Sequence, residues 1–147
     1  MDVCAEYNKE VLVLDRPNPN GHYVDGPILQ KKFYSGVGAL PIPIVHGMTL
    51  GELALMINGE KWLSQGRICK LQVIPCLNYT HQTEYILPVP PSPNLPNNKA
   101  IYLYPSLCYF EGTPVSVGRG TPFPFQVFGH PKLTNAPYSF IPKSRPG

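Results

Sequence analysis

The first feature of the hydrophobic pattern is a continuous apolar run near the amino terminus. Val3 to Lys9 has the pattern of the end of a helix, and it leads directly into an apolar strand at Glu10 to Leu14. A strand that is apolar on both faces is typical of a parallel sheet covered by other βα units. A second strand is predicted at Lys70 to Cys76. No βα unit that could cover the first strand precedes it, and Ile141 to Gly147 has the composition of a loop. We therefore expect the chain to be part of a longer protein.

One helix is clearly marked by its sequence. Thr49-Leu-Gly-Glu52 is a capping box, in which the Thr49 hydroxyl caps the first turn and the Glu52 side chain reaches back to the backbone. Gly59 stands where a left-handed residue ends a helix, so we predict a helix over Leu50 to Asn58. Its apolar stripe consists of Leu50, Leu53, Ala54 and Ile57. Glu52 is therefore predicted to be structural rather than catalytic.

Two proline-containing segments are predicted to be ordered but irregular. Gly36 to Gly47 is apolar and interrupted by prolines, which indicates an extended, buried segment. Pro88 to Pro96 is predicted to be a polyproline-like loop beside a site, with Ser92 and Asn94 as its polar groups. The remaining predicted elements are a short helix that Asn97 or Asn98 caps and that runs through Leu103, and a strand at Phe123 to Phe128.

Composition and charge narrow the class of protein. The 147 residues include 19 prolines and 13 glycines, with 43% hydrophobic residues, which indicates a compact fold with long ordered loops. The net charge is +3 and no block of lysine or arginine is present, so a nucleic-acid partner is not expected. No apolar stretch approaches the length of about 18 residues that a membrane span needs, and no signal peptide is recognisable.

The four cysteines give no sign of a metal site. No pair has the spacing of a zinc-binding CxxC motif, and none lies within four residues of a histidine. Cys69, Cys76 and Cys108 lie in apolar runs and are predicted to be buried free thiols. No glycine pattern matches a nucleotide-binding loop, so no cofactor is expected.

The densest polar cluster runs from Glu111 to Thr121 and contains one carboxylate, one guanidinium and three hydroxyls. Its glycines allow a backbone to come close to a small polar ligand, although a solvated loop has the same composition. Arg119 lies between two glycines, which leaves its guanidinium open to a carboxylate. Glu111 lies in this cluster directly after an apolar run. The candidate ligand-binding hydroxyls are those of Thr113, Ser116 and Thr121.

A second group of polar residues follows the first strand, at the end where open α/β sheets bind ligands. Asp15, Arg16 and Asn18 are candidates there, with an ion pair between Asp15 and Arg16 as the alternative. His46 precedes the helix cap, where backbone amides favour an anion, although a structural histidine is the commoner case.

A polar, aromatic patch lies at Asn78 to Tyr85 and includes His81. Tyrosine rings beside polar side chains are typical of sugar binding, because the ring stacks on the sugar and the polar groups bond its hydroxyls. An amphipathic surface turn is the alternative.

Four segments resemble, in order and spacing, the exo-β-N-acetylmuramidases, a bacterial family long described as a domain of unknown function. The segments are Asp15–Gly21, Pro41–Ala54, Pro91–Pro96 and Glu111–Thr121. Family members are usually exported, to the periplasm or beyond, and they remove terminal N-acetylmuramic acid from peptidoglycan fragments in cell-wall recycling. The resemblance covers nearly all of the chain, and Asn78–His81 is similar to the Bacteroidetes branch.

The resemblance implies a mixed α/β fold built from parts of two domains. Residues 1–30 are expected to be the last strand and edge of a Rossmann-like domain, and residues 31–147 part of an α+β carboxyl-terminal domain rich in ordered Pro/Gly loops. Because family members are longer, the isolated chain is expected to lack catalytic groups and to self-associate through exposed apolar surface.

The resemblance also implies a reaction and roles for residues. Glycoside hydrolysis generally needs two carboxyl groups, and Glu111 is the preferred acid among the loop carboxylates. N-acetylmuramic acid carries a lactyl carboxylate, for which Arg119 is the first candidate cation and Arg16 the second. The other loop acids are Asp15, Asp25 and Glu84. The expected partner is a peptidoglycan-derived sugar or muropeptide, and the alternatives are a non-catalytic sugar-binding module and an inactive gene fragment.

Overall fold

A computed structural model describes residues 1–145 of the chain, which form three helices and four short strands. The helices are α1 (Asp2–Glu6), α2 (Leu50–Gly59) and α3 (Asn98–Leu107), and the strands are β1 (Glu10–Leu14), β2 (Asp25–Ile28), β3 (Pro43–Val45) and β4 (Lys70–Ile74). This mixture confirms the predicted mixed α/β class. No helix among these residues has the length and apolar character needed to cross a bilayer.

The chain divides into two compact units, of which the first is Met1–Tyr85 and the second begins at Ile86. This division lies at a different place from residue 30, and the assignment of residues 1–30 and 31–147 to two domains of the family fold stays a prediction.

The first unit is built on a parallel pair of strands. β1 pairs with β4 in a register that matches Glu10 with Lys70 and Leu14 with Ile74. The bounds of β1 are those predicted, whereas β4 ends two residues early, because Pro75 has no N–H to continue the ladder. One face of β1 is open in this chain, since Leu12 is 56% exposed and Leu14 70%. Burial of both faces was expected of a longer protein and stays a prediction. The other face, with Val11 and Val13, is partly buried.

A second, antiparallel pair joins β2 to β3. Asp25 lies opposite Val45 and Ile28 opposite Pro43, with an irregularity between the two matches. The predicted extended segment contains β3, as expected. Strand β2 is not predicted from the sequence, because Asp-Gly-Pro-Ile contains two residues, glycine and proline, that are rare inside strands.

Helix α2 begins where its capping box predicts. The Thr49 hydroxyl accepts from the Glu52 N–H at 3.2 Å, and the Glu52 carboxylate accepts from the Thr49 N–H at 2.8 Å. The predicted end is wrong by one residue: Gly59 belongs to the helix, and Lys61 adopts the left-handed conformation with φ of 56°. Leu50, which was expected in the apolar stripe, is 57% exposed.

The second unit packs around helix α3 and an aromatic turn. The Asn97 side chain caps α3 by accepting from the Ala100 N–H at 3.0 Å. The helix continues to Leu107, past the predicted end at Leu103, and includes a proline. The small core of this unit consists of Ala100, Leu107, Val117 and Phe125, with Leu95 packed against it.

The predicted strand at Phe123 to Phe128 is wrong. The segment forms turns in which Phe125 has a φ of 52° and donates its N–H to the Val117 carbonyl at 2.8 Å. Pro122 and Pro124 have no N–H to donate to a ladder, and burial of the Phe125 ring, only 2% exposed, stabilises the turn instead.

The loop and cysteine predictions are confirmed in part. Pro88 to Pro96 forms no helix or strand, and a tight turn closes where Leu95 donates to the Ser92 carbonyl at 2.9 Å. All four cysteines are free thiols, but only Cys69 is fully buried. Cys4, Cys76 and Cys108 are half-buried, so the predicted burial of Cys76 and Cys108 is wrong.

Candidate functional site

The predicted site residues fall into two groups, one in each unit. In the first unit, three segments meet: the loop Asp15–Gly21, the start of α2 at Met48–Glu52, and the segment Tyr79–His81. We call these three segments the loop junction.

Asp15 is the anion held at the amino terminus of α2. Its carboxylate accepts from the Thr49 hydroxyl at 2.6 Å, the Gly51 N–H at 2.8 Å and the Arg16 N–H at 2.9 Å. Burial opposes the charged form, but these hydrogen bonds outweigh it and lower the pKa of Asp15. The alternative in which the Asp15 and Arg16 side chains pair is wrong, because only the Arg16 backbone contacts the carboxylate.

His81 bridges the other two segments of the loop junction. Its Nε2 lies 2.9 Å from Glu52 Oε1, and its Nδ1 lies 2.8 Å from the Gly21 carbonyl oxygen. Both partners are acceptors, so both ring nitrogens carry protons in this arrangement. The Gly21 carbonyl and then the Glu52 carboxylate raise the pKa of His81. Burial opposes ionisation of Glu52, but the Thr49 N–H and His81 outweigh it and lower its pKa.

Asn18 organises the loop through several hydrogen bonds. Its amide Nδ2 donates to the Met48 carbonyl at 2.9 Å, and its side-chain oxygen accepts from the Asn20 N–H at 2.9 Å. The Tyr79 hydroxyl donates to the Asn18 carbonyl at 3.0 Å and accepts from its N–H at 3.2 Å. A methyl group at Gly21 would overlap this hydroxyl. Asn18 therefore fixes the loop against both neighbouring segments.

His46 lies beside the helix start, where its ring accepts a backbone hydrogen bond. Its Nδ1 accepts from the Met48 N–H at 3.1 Å, and burial lowers the pKa of His46, so its ring is neutral. The Gly51 amide of the helix start is bound by Asp15. The hydrogen bonds of the loop junction and of His46 hold the protein's own segments together. Ligand binding by Asp15, Arg16, Asn18, His46 and His81 stays a prediction.

We expect the His81 bridge to make stability depend on pH. A histidine whose folded pKa is raised contributes stability that is fully present below its unfolded pKa and is lost as pH rises through the folded pKa. Above the ordinary value of 6.5 the chain should therefore become less stable. Because half of the His81 side chain is exposed, the loss should stay under about 1 kcal/mol. Urea unfolding across pH 5–9 measures it, and His81→Gln should abolish this dependence; an unchanged slope in the variant would contradict the assignment.

In the second unit, Glu111 and Arg119 form an ion pair. Glu111 Oε2 lies 3.5 Å from Arg119 Nη1, and the guanidinium carbon lies 5.8 Å from the centre of the Phe125 ring. Tyr104 packs edge-on against the same ring at 5.0 Å. Burial and then the nearby Glu111 charge raise the pKa of Tyr104. The structure thus brings together the two residues that the sequence analysis placed first, and it pairs them with each other.

The hydroxyls predicted to bind a ligand make hydrogen bonds within turns. Thr121 donates to the Gly118 carbonyl at 2.6 Å, and Thr113 donates to the Phe110 carbonyl at 2.8 Å. Ser116 and Ser92 each accept from a backbone N–H two residues ahead, at 3.3 and 3.2 Å. These contacts shape the loops, and a role of the four hydroxyls in binding stays a prediction.

A cavity of about 850 Å³ opens beside Arg119. Asn94 and Thr121 from the predicted set line it, whereas Ser92, Thr113 and Ser116 are not among its lining residues. Two cations that the sequence analysis missed, Lys143 and Arg145, also line it. Both lie in the carboxyl-terminal segment from Ile141 onward, which has the composition of a loop. The only sequence signal for a close approach is the pair of glycines on either side of Arg119.

Comparison with known proteins finds similarity to members of a single family along most of the chain. The family model for "Exo-beta-N-acetylmuramidase NamZ, N-terminal" matches residues 1–99, and the corresponding C-terminal family model matches residues 102–143. The peptidoglycan β-N-acetylmuramidase NamZ of Bacillus subtilis (strain 168) is 40% identical over 136 residues, which are 89% of this chain and 32% of that protein.

Two crystal structures of DUF1343 family proteins from Bacteroides fragilis are also similar. One has a TM-score of 0.96 and 73% identity over 99% of this chain and 41% of that one. The other has a TM-score of 0.81 and 36% identity over 87% of this chain and 34% of that one. The chain thus spans about a third to two fifths of the length of these relatives. The resemblance found in the sequence is confirmed, and the chain belongs to the exo-β-N-acetylmuramidase NamZ family.

Proposed function

We propose that the chain forms part of a glycoside hydrolase that removes terminal N-acetylmuramic acid from peptidoglycan fragments. Family membership and the similarity to a peptidoglycan β-N-acetylmuramidase support the reaction. The observation that carries the proposal is the position of Arg119, on the wall of a cavity and 3.5 Å from Glu111. In this proposal Arg119 binds the lactyl carboxylate and Glu111 is the catalytic acid.

The proposed reaction follows the usual two-carboxyl scheme. One carboxyl group protonates the oxygen of the departing sugar, and a second either activates water or forms a covalent intermediate. Asp15 and Glu52 accept hydrogen bonds that hold the start of α2, which argues against either as the second acid. We assign the second carboxyl to a part of the full-length protein that this chain does not span, since the chain covers only 32% and 41% of the length of two relatives.

Replacement of Arg119 tests the proposed binding role. Arg119→Lys keeps the charge but loses the planar fork that binds a carboxylate through two bonds. We expect binding of N-acetylmuramic acid to weaken by about tenfold and binding of N-acetylglucosamine to change little. Titration calorimetry with both sugars measures the difference, and equal weakening of both would refute the role.

A non-catalytic sugar- or muropeptide-binding module is the second candidate. It is favoured by the engagement of three carboxylates, those of Asp15, Glu52 and Glu111, in contacts with the protein itself. Turnover of a chromogenic muramic acid glycoside supports the hydrolase. Muropeptide binding by the full-length protein without turnover would instead support the module.

The 147-residue chain alone is expected to be inactive and to self-associate. Leu12 and Leu14 expose more than half of their side chains on one face of the β1–β4 pair, and apolar surface of this kind favours association. Light scattering gives the mass in solution, and the chromogenic glycoside gives the rate. A monomer that turns over substrate as fast as a full-length relative would contradict both expectations.

The cellular setting is also part of the proposal. We infer an exported, periplasmic protein of cell-wall recycling in a member of the Bacteroidetes, because the sequence resembles that branch and a Bacteroides fragilis protein is 73% identical. The reading frame around the chain should encode a signal peptide, and fractionation of the source cells should place the protein outside the cytoplasm. A cytoplasmic location would overturn this inference.

A further inference from the structure

A close contact at Gly120 brings the Lys143 backbone against the residue that follows Arg119. Lys143 donates its backbone N–H to the Gly120 carbonyl at 2.9 Å. Gly120 has a φ of 79°, and a methyl group there would lie 2.5 Å from the Lys143 carbonyl oxygen and 3.3 Å from Pro142 Cβ. Only glycine combines this backbone conformation with this approach. Because Gly120 has no side chain, Pro142 and Lys143 can pack against the backbone next to Arg119.

The charges that line the cavity are all positive. Arg119, Lys143 and Arg145 line it, and among residues 1–145 no aspartate or glutamate does. Part of the Arg119 charge is compensated by Glu111 at 3.5 Å. Lys143 and Arg145 form no ion pair within the described part of the chain. A concave surface with uncompensated cations attracts anions, because its walls focus the field.

The pairing of Arg119 limits what it can do alone. Glu111 Oε2 lies 3.5 Å from one of its terminal nitrogens, Nη1, so part of the guanidinium charge is already compensated within the protein. A ligand carboxylate at Arg119 then needs another donor for its second oxygen. Lys143 lines the same cavity, and a lysine ammonium offers three donors and a point charge on a flexible stem.

We propose that Lys143 is a specificity-determining cation of this cavity, and that it acts with Arg119 to select a sugar bearing a carboxylate. This inference rests on the proposed function and adds a residue to its binding site. The cavity volume of about 850 Å³ lies in the upper part of the usual range of about 300–1,000 Å³ for small-ligand sites. A saccharide with an acidic substituent is the class of ligand that such a site takes.

The test compares two sugars that differ in the carboxylate. Dissociation constants of N-acetylmuramic acid and N-acetylglucosamine are measured by titration calorimetry on the 147-residue chain and its variants. Lys143→Gln should weaken binding of the acidic sugar by roughly tenfold and that of the neutral sugar by less than about twofold. The matched control is Lys132→Gln, since Lys132 is an exposed lysine of the same unit that does not line the cavity. It should change neither constant.

A second variant tests the placement of the carboxyl-terminal segment. Gly120→Ala should displace Lys143 and reduce the preference for the acidic sugar, while circular dichroism checks that the helices persist. Retention of the full preference by Lys143→Gln would overturn this inference and leave the proposed function standing. Equal losses with Lys132→Gln would show a general charge effect and would overturn it too. If the unaltered chain bound neither sugar, this inference would fail, whereas the proposed function would fail only if the full-length protein neither bound nor hydrolysed a muramic acid glycoside.

Discussion

Replacement of Gly51 by alanine should destabilise the first unit by about 3 kcal/mol, although alanine is the better helix former. A methyl group at Gly51 would lie 2.6 Å from Val73 Cγ1 and 2.8 Å from Asp15 Cγ and Oδ2. It would push α2 away from β4 and break the bond from the Gly51 N–H to the Asp15 carboxylate. Urea unfolding followed by Trp62, the single tryptophan of the chain, measures the change in this unit.

The same helix offers a matched control for this prediction. Gly59 is its last residue, a methyl group added there would meet no atom within 4 Å, and its φ lies outside the left-handed region. Gly59→Ala should therefore stabilise the unit by about 0.5–1 kcal/mol. If both variants shifted the unfolding midpoint in the same direction, close packing at Gly51 would not be the cause.

Replacement of Phe125 by alanine should cost the second unit about 3–5 kcal/mol. Phe125 is 2% exposed and has the most deeply buried large side chain of the small core formed with Ala100, Leu107 and Val117. Its loss would leave a cavity and would remove the ring on which the Arg119 guanidinium lies. Hydrogen exchange of the α3 amides reports on this unit, and protection there should fall steeply.

Phe123→Ala is the control for the core prediction. Phe123 lies two residues away in the same turn but is 56% exposed, so its replacement should change stability by less than about 1 kcal/mol. Compared with Phe125→Ala, Phe125→Leu should keep most of the stability, although it lacks the aromatic ring. Sugar binding by the leucine variant then measures what the contact between the Phe125 ring and the Arg119 guanidinium contributes. Equal protection of α3 in both alanine variants would contradict the assigned core.

The sequence predicted correctly those features of the fold that depend on interactions between residues close together in the chain. The capping box placed the start of α2, the apolar run placed β1, and an asparagine placed the cap of α3. Each of these depends on hydrogen bonds or burial within a few residues, so the chain itself contains the information.

The remaining features depend on contacts between distant segments. The apolar residues of Phe123 to Phe128 predict a strand, but the core of the second unit draws Phe125 into a left-handed turn. Similarly, the sequence singles out Arg119, while its pairing with Glu111 and the approach of Lys143 follow from tertiary folding. No local pattern specifies which distant segment fills the space beside a glycine.

The loop junction has a consequence for how the first unit folds. Its hydrogen bonds join residues that are 29 to 61 positions apart, and β1 pairs with a strand 60 residues later. Contacts of such high sequence separation require large loops to close before they stabilise anything, so topologies of this kind fold slowly. We expect helix α2 to gain lasting stability only once β4 has docked, with Thr49 to Gly51 and Tyr79 to His81 becoming ordered in a single step. A chain interrupted between β1 and β4 would then keep its individual turns but would lose the cooperative transition of the unit.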